Sequence, residues 1–417
     1  MDNYLPRVAD SVLEACLRSA GGVLIEGPRA CGKTATARRF AASEALLDSD
    51  PTTRAYLDID PYRVLKGESP RLIDEWQVQP LIWNLVRREI DDRQSKGQFI
   101  LTGSAIPPDD ITRHTGAGRI LRMRMRTMSL FESGHSTGEV SVAGLLKGEH
   151  AYGDGSGITF DDVVERIAVG GWPAQIRSTA ADALPTLRGY VDEVTHAYMQ
   201  TVDGRLRNPE RVRRVMNSLA RNVATEVKLS TIAADIAEED APIKAQTVEE
   251  YLSGLVQLMV VEDQTAWAPR LRSRSRVRST PKRHFTDPSL AVACLGKDVD
   301  GLLQDLEWVG QLFESLAVHD LRVYAQKIEG KVFHYRDNTG LEVDAIIETV
   351  SGAWAAFEVR LGALAIDTAA ATLRAFAERV DATRCGPPAS LAVITPSGPS
   401  YRREDGVNVI SIGCLGP

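Results

Sequence analysis

Residues 22–34 read GVLIEGPRACGKT, and no other stretch limits the fold of this chain as strongly. A short apolar run, Gly22 to Glu26, breaks into Gly27-Pro28-Arg29-Ala30-Cys31-Gly32-Lys33-Thr34, which satisfies G-x-x-x-x-G-K-[ST] at every position. The helix-like stretch ATARRFAASEALL follows. Strand, glycine loop and helix together make a phosphate cradle for physical reasons. Gly27 and Gly32 permit torsions that turn successive N–H groups toward phosphate oxygens, and the helix directs its positive end at the same charge. Lys33 is placed to reach the outer phosphates, and Thr34 offers a hydroxyl to Mg2+. The octapeptide as a whole is therefore expected to bind ATP.

The next segments extend the pattern. RAYLDID (54–60), RLIDEW (71–76), QFILTGSA (98–105) and RILRMRMR (119–126) read as strands, with LIWNLVRREIDDR helical between the second and third of these. Strands alternating with helices imply a parallel sheet covered on both faces. RLIDEW carries two adjacent carboxylates. Asp74 is expected to help hold Mg2+, and Glu75, on the other side of the pleat, to polarise the water that attacks the γ-phosphate. Ser104, at the carboxyl end of its strand, is expected to orient that water or sense the phosphate, in preference to Thr102. Arg113 lies just before the fifth strand and Arg119 opens it, and either is a candidate arginine finger for a neighbouring subunit's site, Arg119 being the one placed among the catalytic residues.

Composition narrows the class. A chain of 417 residues exceeds one ordinary core, and 43% apolar with 25% charged residues excludes a mainly disordered chain. No apolar run approaches the ~18 residues of a membrane helix, and the first residues lack a signal-peptide layout. The five cysteines are scattered without C-x-x-C spacing, which argues against a disulfide framework or a cysteine zinc site and for the cytoplasm.

The net charge of −7 conceals segregation, since Arg270 to Arg283 holds seven basic residues and no acidic one. In an extended chain, Arg270, Arg272, Arg274, Arg276 and Arg278 share one edge, which suits DNA or RNA phosphates. LSTIAADIA and KAQTVEEYLSGLVQLMVV, just before, read as a helix-turn-helix-like pair. Glu249 and Glu250 open its second helix and argue for backbone contact rather than base reading.

Residues 132–158, rich in Gly and Ser, read as an exposed loop, and GGWP (170–173) as a tight turn with a packed Trp172. After Pro288 a helix, three strand-like runs, an Ala-rich helix (366–380) and two last strands form a second α/β unit. Glu314, Asp344 and Glu358 there resemble the metal-binding carboxylates of restriction-type nucleases. Asp344…Glu358-Val359-Arg360 approximates D-x(n)-E-x-K, with Arg360 at the lysine. Arginine stays charged and cannot take a proton, which disfavours cleavage and leaves a degenerate fold kept for binding or assembly as the alternative.

GPRACGKT, LIDEWQ, FILTGSA and GRILRMRMRTMSLFESG resemble prokaryotic AAA+-like ATPases with an uncharacterised C-terminal region. GGWP, TVEEYLSGLVQLMVVED and PKRHFTDPSLA match the order expected of that family, so the resemblance spans nearly the whole chain. It implies a multidomain α/β fold: an AAA-type P-loop core (1–131), a linker and helical lid (132–210), a winged-helix-like domain with an Arg-rich wing (211–290) and a PD-(D/E)XK nuclease-like, restriction-endonuclease-like domain (291–417). The phosphate loop, the acidic pair and the arginine run together favour an ATP hydrolase using Mg2+ that acts as a nucleotide-driven switch on nucleic acid. An ATPase-coupled protein-interaction device and an ATP-gated nuclease are the alternatives.

Overall fold

The computed structural model describes residues 4–104, 116–198, 208–237, 243–268 and 280–417. The chain divides into two compact units, one built on Met1–Thr127 and the other on Met128–His196, Arg207–Val256 and Val260–Pro417.

The first unit is a five-stranded parallel sheet. Its strands are β1 (Gly22–Glu26), β2 (Ser43–Leu46), β3 (Arg71–Asp74), β4 (Phe99–Gly103) and β5 (Ile120–Arg124), in the order β2-β3-β4-β1-β5. Among the described residues four α-helices accompany it: α1 (Val8–Ser19), α2 (Lys33–Phe40), α3 (Pro51–Ile59) and α4 (Leu81–Arg93). The inner strands are apolar at successive positions because both faces are covered. Leu24, Ile73, Phe99 and Leu101 pack with Trp83, Val86 and Ile90 of α4 on one side, while Val23, Ile25, Leu72 and Ile100 pack with Leu13 of α1 and Ala37 of α2 on the other. Register sets Glu26 of β1 beside Gly103 of β4, so the glycine loop leaves β1 at the sheet's carboxyl edge.

Two expected elements change places. RAYLDID lies mostly in α3 rather than in a strand. Pro51 stands in the first turn, and the Asp50 carboxylate accepts from Thr52 N (3.0 Å) and Thr53 N (3.2 Å), a cap that starts a helix before any strand can form. The vacant place in the sheet goes to Ser43–Leu46, which the sequence suggests is helical. The helix ends at Phe40, Ala41 is extended, and β2 pairs with β3 from Ser43↔Arg71 to Leu46↔Asp74. Sheet pairing here outweighs the helix propensity of an Ala-rich stretch.

The second unit carries a six-stranded mixed sheet, ordered β13-β14-β12-β11-β10-β9, from β9 (Lys331–Arg336), β10 (Glu342–Glu348), β11 (Trp354–Val359), β12 (Ser390–Thr395), β13 (Tyr401–Arg402) and β14 (Asn408–Ser411). The helix Leu306–Gln326 packs on β9 to β11, and the helix Ile366–Arg379 sets Leu373 and Phe376 against Trp354 and Trp267. Helices Pro209–Arg221, Leu229–Ile236 and Ala245–Gln257 precede an antiparallel pair, β7 (Val261–Gln264) and β8 (Lys282–Phe285). Arg270, Arg272, Arg274, Arg276 and Arg278, between these strands in sequence, lie outside the described residues, as does Arg113.

The stretch 132–158 is more than an exposed loop. Its β6 (Val140–Ser141) pairs in parallel with β15 (Leu415–Gly416), Ser136 Oγ donates to Leu415 O (2.7 Å), and Val140, Val142 and Leu145 are buried. A partner some 270 residues away along the chain leaves no local trace. GGWP is the tight turn expected, and Trp172 is buried with Nε1 donating to Ser289 Oγ (3.0 Å). A β-carbon at Gly171 would lie 2.0 Å from Met128 O, so only glycine fits.

Candidate active site

The phosphate loop is built by contacts inside the first unit. Gly32 caps α2 at φ 99°, a left-handed torsion that glycine adopts without cost. A β-carbon on Gly27 would come within 2.3 Å of Met125 O, so this residue is small because the backbone just past β5 runs close by. Arg7 braces the loop from behind, donating to Cys31 O (3.1 Å) and Arg126 O (2.8 Å). Pro28 and Cys31 are buried, whereas Arg29 and Ala30 face outward, Ala30 at φ 63°.

Lys33 is 5% exposed, and its ammonium donates to Gly27 O (3.0 Å) and Pro28 O (2.8 Å), curled over its own loop. Thr34 Oγ1 donates to Asp74 Oδ1 (2.8 Å), which brings the two expected magnesium residues together. A magnesium ion suits this pair, since one carboxylate and one hydroxyl leave most of an octahedral shell to water and phosphate. No group of three or more His, Cys, Asp or Glu among the described residues gathers as a metal site.

Glu75 departs from its expected place. It is not on the pleat of β3 but just past it, at φ 52° and ψ 47°, with its N–H donating to Thr102 Oγ1 (3.1 Å). Its Oε2 accepts from Ser104 Oγ (3.2 Å) and from Gln77 Nε2. Thr102 also donates to Asp74 Oδ1. The choice of Ser104 over Thr102 thus separates residues that share the work: Ser104 meets Glu75, and Thr102 ties Asp74 to the Glu75 backbone. Nothing in the sequence alone singles out Thr102 or Gln77, although Gln77 follows Glu75 by two residues in LIDEWQ.

Arg119 is not brought to this site. Its carbonyl accepts from Gly22 N (3.0 Å) at the amino end of β1, opposite the loop, and its Nε donates to Asp91 Oδ1 (2.7 Å).

A second cluster lies in the C-terminal unit. Glu314 from the helix Leu306–Gln326, Asp344 from β10, Glu358 from β11 and Arg360 just beyond it converge as the sequence anticipates. They are joined by Lys282 of β8, which in the sequence is one of the basic residues between Arg270 and Arg283. Lys282 Nζ donates to Glu314 Oε1 (2.7 Å) and Asp344 Oδ1 (3.3 Å). Arg360 donates to Asp344 Oδ2 (2.9 Å) and to Glu358, and Val359 N–H adds a bond to Asp344 Oδ2 (3.0 Å).

Burial governs the charges here. Desolvation, helped by the Asp344 charge, pushes Glu314 up to about 8 and Glu358 up to about 9. Burial also opposes the Asp344 charge, yet Lys282 and Arg360 outweigh it and hold that pKa below the usual value. Burial opposes the Lys282 charge as well, and Glu314 and Asp344 overcome it, raising its pKa. Beside the cluster, burial lowers the His284 pKa, and its ring bonds Ser315 Oγ (3.1 Å) and Gln264 Oε1 (3.0 Å). Gln264 Nε2 donates to Phe333 O and Asp344 O, which fastens β7 and β8 to the sheet.

Residues 20–133 match the AAA domain, residues 160–300 a domain of unknown function (DUF8612) and residues 309–415 a domain of unknown function (DUF4143). No curated protein matches the sequence. Among solved structures, the Walker-type ATPase paby2304 of Pyrococcus abyssi aligns at a TM-score of 0.43 and 13% identity, over 70% of this chain and 96% of that one. Among the described residues, no helix is long and apolar enough to cross a membrane. The AAA match falls on the parallel sheet that carries the glycine loop and Asp74, so this amino-terminal unit is similar to AAA domains and carries a P-loop.

Proposed function

We propose that the protein is a Mg2+-dependent ATP hydrolase whose nucleotide state drives a switch in the rest of the chain. One observation carries this reading. The buried ammonium of Lys33 donates to two neutral carbonyls rather than to a carboxylate, at the mouth of a loop whose amide groups suit an anion. A triphosphate is the partner that such a cation lacks.

In this reading the loop amides and the amino end of α2 bind the phosphates, and Lys33 turns from Gly27 and Pro28 to the outer ones. Thr34 and Asp74 would hold Mg2+, which when bound neutralises phosphate charge. Glu75 takes a proton from water as the water oxygen bonds to the γ-phosphorus and the bond to the ADP oxygen breaks. Ser104 steadies the Glu75 carboxylate. Arg119, paired with Asp91 at the amino end of the sheet, does not reach this chain's own loop, so a finger role for it would lie at a neighbouring subunit's site. Glu75→Gln should keep ATP binding and lose turnover about a hundredfold, roughly 3 kcal/mol of transition-state stabilisation. Unchanged turnover in that variant would remove Glu75 from the mechanism.

A finer reading concerns the partner. The helices Leu229–Ile236 and Ala245–Gln257, followed by β7 and β8, have the element order of a winged helix. The alternating arginines from Arg270 to Arg278 fall between its two strands in sequence. This supports contact with the phosphate backbone of DNA or RNA. Changing Arg270, Arg272 and Arg274 to Ser should abolish a salt-sensitive gel shift. No shift by the unaltered chain would favour a protein-docking device instead. We read the PD-(D/E)XK-like C-terminal unit as serving assembly rather than cleavage, because Lys282 and Arg360 already pair with its carboxylates.

A further inference from the structure

Glu75 must be aimed as well as present. Its backbone sits in the left-handed region, φ 52° and ψ 47°, where a residue with a β-carbon is held by its surroundings. The Thr102 hydroxyl fixes its amide, and its carboxylate meets two donors, the Ser104 hydroxyl at 3.2 Å and the Gln77 amide. Gln77 also donates to Ser104 Oγ (3.4 Å), so the three side chains form a closed set. Trp76, 2% exposed and packed at a tilt of 39° against Trp83 with ring centroids 4.9 Å apart, anchors the short turn that carries Gln77.

We propose that Gln77 is a positioning residue for Glu75, aiming its carboxylate at the water of ATP hydrolysis. The inference rests on the ATPase reading above. Chemistry orients the amide: Nε2 faces the carboxylate because Oε1 in its place would set lone pairs against a negative charge. The cost is visible. Gln77 Oε1 is buried without a hydrogen-bond partner among the described residues. An amide present only for packing or stability settles where both heteroatoms are satisfied, whereas this one leaves its acceptor unpaired to keep its donor on Glu75. Close approach is allowed by Gly103, whose β-carbon, if present, would lie 2.9 Å from Gln77 Oε1. Gln77 acts through Glu75 and touches neither Lys33 nor Thr34 in the bonds that fix those two residues.

The test is steady-state ATP turnover of the full chain, with ATP affinity and thermal unfolding measured in parallel. Gln77→Leu should lower kcat about tenfold or more while KM and ATP affinity stay within about twofold, because orientation and not binding is lost. In a Glu75→Gln background the same change should alter kcat less than about twofold, since no carboxylate remains to be aimed. Gln77→Glu, which sets a like charge against Glu75, should lose at least as much as Gln77→Leu and serves if the leucine variant unfolds. Turnover of both variants near that of the unaltered chain, or an undiminished loss in the Glu75→Gln background, overturns the proposal. If Glu75→Gln is slow while Gln77→Leu is not, only the role of Gln77 falls. If the unaltered chain binds ATP without hydrolysing it, the ATPase reading falls and takes this inference with it.

Discussion

Two carboxylate sites in this chain satisfy their charges in opposite ways. In the first unit Asp74 and Glu75 accept from neutral donors, the hydroxyls of Thr34, Thr102 and Ser104 and the amide of Gln77, while Lys33 rests on backbone carbonyls. In the second unit Glu314, Asp344 and Glu358 are met by the side-chain cations of Lys282 and Arg360. A site of the first kind keeps a cation and a carboxylate apart, each available to a ligand of opposite charge. A site of the second kind satisfies itself, and its attraction goes into holding β8, β10, β11 and the helix Leu306–Gln326 together. Carboxylates grouped near a lysine therefore have different meanings in the two places.

Deleting a lysine ammonium from each site is the sharpest way to break the comparison. Lys282→Met removes a cation that keeps the buried Asp344 ionised, and a buried pair that loses one partner typically costs about 3–5 kcal/mol. Denaturant unfolding should show that loss, with faster hydrogen exchange in β8 and β10. An unfolding midpoint equal to that of the unaltered chain would mean that the C-terminal cluster is not a structural lock.

The next effect is in pH. Glu314 and Glu358, at about 8 and about 9 in the fold, sit above the ~4.3 of an unfolded glutamate. The native state therefore holds protons that the unfolded chain has released. The stability these groups contribute is complete below about pH 4 and is lost as pH rises through 8 and 9, by up to about 1.4 kcal/mol per pH unit for each proton. Asp344, with its pKa lowered, has the opposite sign: its contribution is present above about pH 4 and is lost as the pH falls into acid. Glu358→Gln, neutral at every pH, should flatten the decline between pH 6 and 9 by about half. An unaltered slope would show that Glu358 is ionised throughout.

The smallest change in stability is expected at the other lysine. Lys33→Met removes two hydrogen bonds to carbonyls and should shift unfolding by no more than about 1–2 kcal/mol. Calorimetry should nevertheless find ATP affinity reduced tenfold or more, since its ammonium is kept for the ligand. A large stability loss with intact ATP binding would reverse the assignment of the two sites.

Much of this was legible from residue order because it depends on local rules. The glycine loop carries its torsional and electrostatic requirements in eight consecutive residues, and the strands β1, β4, β9, β10, β11 and β12 announce themselves as apolar runs. Asp74 and Ser104 follow from standing at the ends of such runs. The exchange between β2 and α3 escaped detection because an Asp50 cap and an edge pairing with β3 decide it, and propensity points the other way. Gln77 and Thr102 give no such signal because their bonds to Glu75 and Asp74 form only where two strand ends meet.

Sequence alone determined that the chain holds a phosphate loop, that an acidic pair accompanies it and that a second α/β unit follows. Those properties belong to short segments, whose backbone freedom and polarity are set by neighbours along the chain. Tertiary structure alone decided which charges are left for a ligand. Lys282 is one more basic residue in a basic run until β8 is laid against β10 and the helix Leu306–Gln326, where exclusion of water binds it to Glu314 and Asp344. Electrostatic partnership depends on distance through space and on local solvent, and neither is written in the order of residues.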